Sequence, residues 1–191
     1  MKLTKKWLEE NNACQSSYDY VVKNGYIGLN YDDAINKAMA ENRFSDANWY
    51  IVRLMTRLQK VEYAVYAARQ VLHLYEEKYL TDNRPRMAIE AAEAYMRNPC
   101  KKTRQNAVYA ADAAYSAYNA ADAAAGAGAA YSTYNAAYSA YAAYSAYSAY
   151  VAAAYATAAA YSAGAINLKP KIINNGLDIL KKEGKNVWGI V

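Results

Sequence analysis

Apolar residues recur at intervals of four and three through the middle of the first half of the chain: Leu54, Leu58, Val61, Val65, Ala68, Leu72, Tyr75 and Tyr79. A mean spacing of 3.5 residues keeps such side chains on one seam of a helix, so the pattern predicts a long helix over 46–79 packed along its length on a neighbour. Arg53, Arg57 and Lys60 flank one side of the seam; Glu62, Arg69, His73 and Glu76 flank the other. Shorter signals precede it. Thr4 is placed to cap a helix carrying Trp7 and Leu8 that ends near Asn11 and Asn12. A second short helix over 16–23 is stopped by Asn24-Gly25. Asn30 caps a third, with Asp32 and Asp33 in the first turn where the helix dipole favours acids, and Ser45-Asp46 does the same for the long helix.

Beyond the seam, Pro85 suits a first helical turn and Asn98-Pro99 an end, which bounds a helix over 85–97. A helix from Thr103 runs to about residue 125, where Gly126 and Gly128 loosen or break it. Another runs from Ala129 to Ser162. Gly164 and Pro170 bound its exit, an amphipathic helix over 171–183 ends at Gly184, and a short apolar tail covers 187–191. No alternating strand pattern appears. The fold class is therefore all-α: a multi-helix bundle with one long seam helix and Ala/Tyr-rich helices. Residues 1–168 form one helical domain, with N-terminal helices in 1–44, the long helix 46–79, the Arg-Pro helix 85–97 and the Ala/Tyr-rich helices 103–163. A C-terminal helix and tail occupy 169–191.

Composition changes the picture at one point. The chain has 22 tyrosines and one phenylalanine. A tyrosine ring is apolar but its hydroxyl needs a partner, so this preference favours half-wet positions such as rims and interfaces. Tyr131, Tyr134, Tyr138 and Tyr141 share a helical face, and Tyr144, Tyr147 and Tyr150 follow at intervals of three. On a continuous α-helix the rings from Tyr138 to Tyr150 turn steadily around the axis. Two arrangements satisfy that: a central helix surrounded by others, or a helix packed on one side and offering the other to a second molecule. Rings on most sides exceed what a small core hides, which predicts a homo-oligomer, at least a dimer.

Charge is uneven. The net charge is +5, yet the stretch 105–168 has no Lys or Arg and holds only Asp112 and Asp122. A basic body attracts nucleotides or acidic partners. Cys14 and Cys100 make no disulfide framework, the first residues resemble no signal peptide, and the low-charge run is too poor in Leu, Ile and Val for a membrane span. A reducing, cytoplasmic location with no membrane association follows.

Catalytic signals are thin. His73 is the one histidine, with Glu76 as its nearest carboxylate along the helix; neither metal-ligand spacing nor a phosphate-binding glycine loop is present. No enzyme activity, metal or cofactor is expected. The turn Arg84-Pro85-Arg86 is different, because cations are disfavoured at a helix start. Either carboxylates at Glu76, Asp82 or Glu90 hold the two arginines, or the turn is an anion site.

The segment YAARQVLHLYEEKYLTDNRPRMAIEAAEAYMRN, 66–98, resembles the signature of immunity proteins from bacterial polymorphic toxin systems: a helix, an Asp-x-Arg-Pro turn, then an Ala-Ile-Glu-Ala-Ala helix followed by Ala-rich helices. WLEENNAC and RFSDANWYIVRLM resemble entry segments of small proteins from phages and mobile elements. The resemblance implies an all-helical binding protein that neutralises a protein toxin, or a bacterial defence component if phage-borne, by stoichiometric occupancy. The chain carries Tyr and Ser where the family scatters Arg and His. A rival reading follows from the residues themselves. Tyrosines stack on bases and arginines hold phosphates, so the chain would sequester a nucleotide signal without turning it over, while no nucleic-acid polymer is implied. The binding residues for either reading are Arg53, Arg57, Arg69, His73, Arg84, Arg86, Tyr134, Tyr138 and Tyr141, with Glu76, Asp82, Pro85 and Glu90 shaping the turn.

Overall fold

The computed structural model describes residues 2–121, 124–141, 145–164 and 168–182. Asp122, Tyr144, the expected helix end at Gly184 and the tail over 187–191 lie outside them. Among the described residues there are eleven helices and no strand, and the fold is all-α. The chain divides into two compact units, Met1–Leu54 and Met55–Val191.

The first unit holds α1 (Lys5–Glu10), α2 (Gln15–Lys23), α3 (Tyr31–Ala40) and α4 (Phe44–Leu54). Thr4 caps α1 by accepting from the Trp7 amide at 3.1 Å. Asn12 and Asn42 take left-handed backbone after α1 and α3, the conformation in which Asn ends a helix at least cost. Asn30 stands at the start of α3, but its amide donates to Asp33 and caps nothing. Ser45 and Asp46 are no cap either, since α4 begins at Phe44. Asp46 accepts from Ser17 at 2.9 Å and from Arg43. Leu3, Leu8, Val21, Tyr26, Ile35 and Ile51 form the core.

The second unit holds α5 (Arg57–Arg69), α6 (Leu72–Glu76), α7 (Arg84–Arg97), α8 (Lys101–Ala120), α9 (Ala124–Tyr138), α10 (Ser145–Ser162) and α11 (Lys169–Lys182). The expected long helix over 46–79 is thus three helices. The seam residues Val61, Val65, Ala68, Leu72 and Tyr75 are buried as the spacing requires, while Leu58 is exposed. The chain stops before Thr56 because Thr56 and Gln59 close a capping box: the Thr56 amide donates to Gln59 at 2.8 Å and the Gln59 amide to the Thr56 hydroxyl.

The expected helix from Ala129 to Ser162 is likewise two. It starts earlier, at Ala124, and turns after Tyr138. Gly126 and Gly128 do not break it but lie inside α9. A Cβ on Gly128 would stand 3.0 Å from the Ala159 Cβ and 3.3 Å from its Cα, so this glycine lets α9 and α10 touch backbone to side chain. α9 packs on α5, α6, α7, α8 and α10. It does so with small residues: Ala129, Ala130, Ser132, Thr133, Ala136 and Ala137 are all fully buried. Burying hydroxyls demands partners. Ser132 donates across to the Ala152 carbonyl of α10 at 2.8 Å, and Thr133 donates back to Ala130 at 2.8 Å.

Candidate functional site

With α9 occupied by neighbours on its alanine sides, its tyrosines are left on the remaining one. Tyr131, Tyr134 and Tyr138 stand in a row with adjacent ring centroids 5.3 and 5.5 Å apart, and Tyr141 follows 5.8 Å further on. The row meets α8, where Tyr115 lies 5.2 Å from Tyr134 and Tyr118 lies 4.7 Å from Tyr131. It also meets α10, where Tyr155 lies 4.3 Å from Tyr131. Each contact is tilted, and all but the closer Tyr131–Tyr155 pair fall within the range of centroid separations that aromatic pairs prefer. The result is a continuous tyrosine surface over three helices. Tyr115, Tyr141 and Tyr155 remain 42%, 40% and 37% exposed. Burial, and then the neighbouring phenols Tyr138 and Tyr131, push the Tyr134 hydroxyl up to about 12, so it stays a neutral donor at physiological pH.

At one end of the row the hairpin of α8 and α9 opens into a cleft of about 470 Å³ lined by Arg104, Gln105, Val108, Tyr138 and Tyr141. The two helices run antiparallel, which brings the start of α8 beside the end of α9. Arg104 is half-buried, and its guanidinium meets no carboxylate among the described residues.

The Arg-Pro turn is built differently. Arg84 grips Asp82 with Nε at 2.9 Å and Nη2 at 2.5 Å, and Asp82 also accepts from the Arg84 amide and from the Tyr75 hydroxyl at 2.6 Å. Arg86 makes a two-pronged pair with Glu76, both contacts at 2.7 Å. Pro85 is buried in the first turn of α7. Glu90 is exposed and bonds neither arginine. The cations that the dipole disfavours at this helix start are therefore held by carboxylates from outside the helix.

Arg84, and next the Tyr75 hydroxyl, hold the Asp82 carboxyl far below the usual carboxylate range, against an opposing push from burial. A folded pKa below the unfolded one stabilises fully above the unfolded value near ~4 and is lost as pH falls below it. The Arg84 side chain is 37% exposed, so solvent screens the pair to about 1 kcal/mol. Asp82→Asn is expected to lower stability at neutral pH by about that amount and to flatten the loss between pH 5 and pH 2 by the same, read by urea titration at each pH. Parallel acid profiles in the two proteins would show that Asp82 contributes nothing.

The remaining expected site residues do not converge. Arg57 donates to the Ala140 carbonyl and stacks over the Tyr95 ring at 5.2 Å, neutralising the end of α9. Arg69 pairs with Glu93 at 2.5 Å. His73 is exposed on α6, and Glu76 beside it is engaged by Arg86. Arg53 belongs to the first unit and lies over Trp49 at 5.3 Å. Sequence reasoning missed Arg104, Gln105 and Val108, and also Tyr115, Tyr118 and Tyr155. One signal was available: Arg104 is the last cation before the stretch without Lys or Arg begins.

These features define an all-helical protein whose second unit carries a hairpin of small-residue helices surfaced with tyrosine. Residues 34–180 match the model of a family of unknown function, DUF6931, and the chain belongs to that family. No curated protein and no solved structure matches it. Among the described residues, no helix is long and apolar enough to cross a membrane, and no group of three or more His, Cys, Asp or Glu side chains is placed to hold a metal ion.

Proposed function

We propose that the chain is a non-catalytic binding protein that inhibits a protein target by covering it, as an immunity protein covers its toxin. The observation that carries this reading is the tyrosine surface of α8, α9 and α10. Tyrosine gives large contact area for two side-chain torsions, and rings that already pack on each other lose little freedom when a partner arrives. The surface has π-faces and hydroxyls, and no Lys or Arg from Gln105 to Leu168. Its electrostatic complement is a partner face rich in arginine and apolar groups, since cations are drawn to ring faces and to Asp112.

The expectation of a homo-oligomer rested on rings around one continuous helix. That helix is two, and the row from Tyr131 to Tyr141 keeps to one side, so that premise no longer applies. The test uses the protein encoded beside this chain. A stoichiometric complex is expected, with Tyr115→Ala and Tyr155→Ala each weakening it by about 30-fold or more while leaving thermal melting within a few degrees. A complex indifferent to both substitutions overturns the reading. So does light scattering that gives a multiple of 21.2 kDa for the isolated chain and a single mass for the double variant, because a second copy would then occupy the surface.

A further inference from the structure

Helix α7 begins Arg84-Pro85-Arg86 and α8 begins Lys101-Lys102-Thr103-Arg104, and neither has an acid in its first turn. In α7 each arginine is matched by a carboxylate. In α8 none is matched: Lys101, Lys102 and Arg104 form no ion pair among the described residues. Lys101 and Arg104 are three residues apart and share a helix face with Gln105 and Val108. Arg104, Gln105 and Val108 of that face line the cleft, whose opposite side is Tyr138 and Tyr141, and Lys101 stands one turn before them at its mouth, outside the lining. Unmatched positive charge thus stands over an aromatic floor inside a concavity, and this combination selects an anion that carries a flat ring.

We propose that the cleft between α8 and α9 binds a nucleoside monophosphate, with the phosphate on Arg104 and Lys101 and the base on the exposed face of Tyr141. The volume, about 470 Å³, falls within the range of small-ligand sites and holds one nucleotide. Two cations balance the charge of one phosphate monoester, roughly −2. Tyr138 and Tyr141 are 5.8 Å apart and tilted by 42°, already in contact, so no base enters between them and stacking is one-sided. Asp112, one turn beyond Val108, contributes to raising the Tyr134 phenol and so lies toward the other end of the row. Its charge keeps the phosphate at the Arg104 end and fixes the direction in which the ligand lies. The Gln105 amide, at the cleft wall, offers both a donor and an acceptor to a base edge. The site shares Tyr138 and Tyr141 with the end of the tyrosine row and adds Arg104, Lys101 and Gln105; Arg104→Gln tests it apart from the partner surface, whose own test uses Tyr115 and Tyr155.

Calorimetry on the full chain with AMP, adenosine and inorganic phosphate tests it. AMP is expected to bind, and adenosine and phosphate to bind at least about tenfold more weakly, because each keeps only one of the two contacts. Arg104→Gln should weaken AMP about tenfold or more and leave adenosine unchanged. Tyr141→Ala should weaken AMP by a similar factor and leave inorganic phosphate unchanged. Raising salt should weaken AMP and not adenosine. Both side chains are at least partly exposed, and circular dichroism melts of the variants confirm that each is folded. No heat from AMP at about 1 mM overturns the proposal. Undiminished AMP binding by folded Arg104→Gln overturns it as well, and assigns Arg104 to stabilising the C-terminal end of α9.

Discussion

Replacing Tyr63 by alanine is expected to cost about 3–5 kcal/mol, the largest effect of any single truncation in the second unit. Tyr63 is fully buried in the middle of α5, and burial alone pushes its phenol far above the ordinary value. Its helix packs against α7, α9, α10 and α11. Its own helix, α9 and α10 bury many alanines, among them Ala64, Ala67, Ala68, Ala129, Ala136, Ala152 and Ala156, while α11 brings Ile172, Ile173, Leu177 and Ile179 and α7 brings Ile89. Methyl groups on rigid helices do not swing into a vacated space as leucine or methionine would. On the α9 and α10 sides the cavity stays open, and the cost lies within the range known for large-to-small core changes. Urea unfolding followed by circular dichroism measures it. Tyr63→Phe keeps the ring and is expected to lose about 1 kcal/mol. A loss below about 1 kcal/mol for the alanine variant would mean that the walls do collapse.

Leucine at Gly128 is expected to cost about 3 kcal/mol or more by the opposite route, overpacking. The atoms that a new side chain meets belong to the Ala159 Cβ, Cα and amide nitrogen, at 3.0, 3.3 and 3.5 Å. Backbone in mid-helix has nowhere to rotate, so α9 and α10 must part. The hydrogen bond from Ser132 to Ala152 between them would break with the separation. Gly126 makes a useful control. A Cβ there meets the edge of the Tyr79 ring at 3.1 Å, a side chain that gives way. Gly126→Ala gains helix propensity of up to about 1 kcal/mol and is expected to be near neutral or stabilising. Similar stabilities for Gly128→Leu and the unsubstituted chain would refute close packing of the hairpin.

The contrast between those two glycines shows where the sequence is informative. Helical class is legible because apolar spacing reports which side of a helix is buried, and Val61, Val65, Ala68, Leu72 and Tyr75 obey it. Spacing does not report whether the helix is continuous. Thr56 and Gln59 spell a capping box in plain sequence, set between the seam positions Leu54 and Val61. The turn after Tyr138 has no such mark. Residues 139–144 contain neither glycine nor proline, while the two glycines nearby serve close approach inside a helix. Charge narrowed the partners of Arg84 and Arg86 to Glu76, Asp82 or Glu90, with an anion site as the alternative, and the geometry selects Asp82 and Glu76. The cleft was not legible. Arg104 and Tyr141 meet because the hairpin folds α9 back along α8, and no local pattern encodes which ends a hairpin brings together.

The position of α9 in the chain also sets an order of events during synthesis. The helix on which five others pack comes ninth of eleven among the described residues, and apart from its tyrosine side it meets them through alanine, glycine, serine and threonine, not through long aliphatic side chains. It has little to hold it together until its neighbours are in place, and they have no common centre until it emerges. On a ribosome adding about 5–20 residues per second, the interval from the end of α5 at Arg69 to the end of α10 at Ser162 is on the order of ten seconds. Until then Val61, Tyr63 and Val65 of α5 have only α6 and α7, among their eventual neighbours, to pack on. The first unit, which has a core of its own within Met1–Leu54, is under no such delay. A cell that makes this protein thus handles a smaller first unit with its own core and a larger second unit whose central helix arrives late, and holding factors would act on the second.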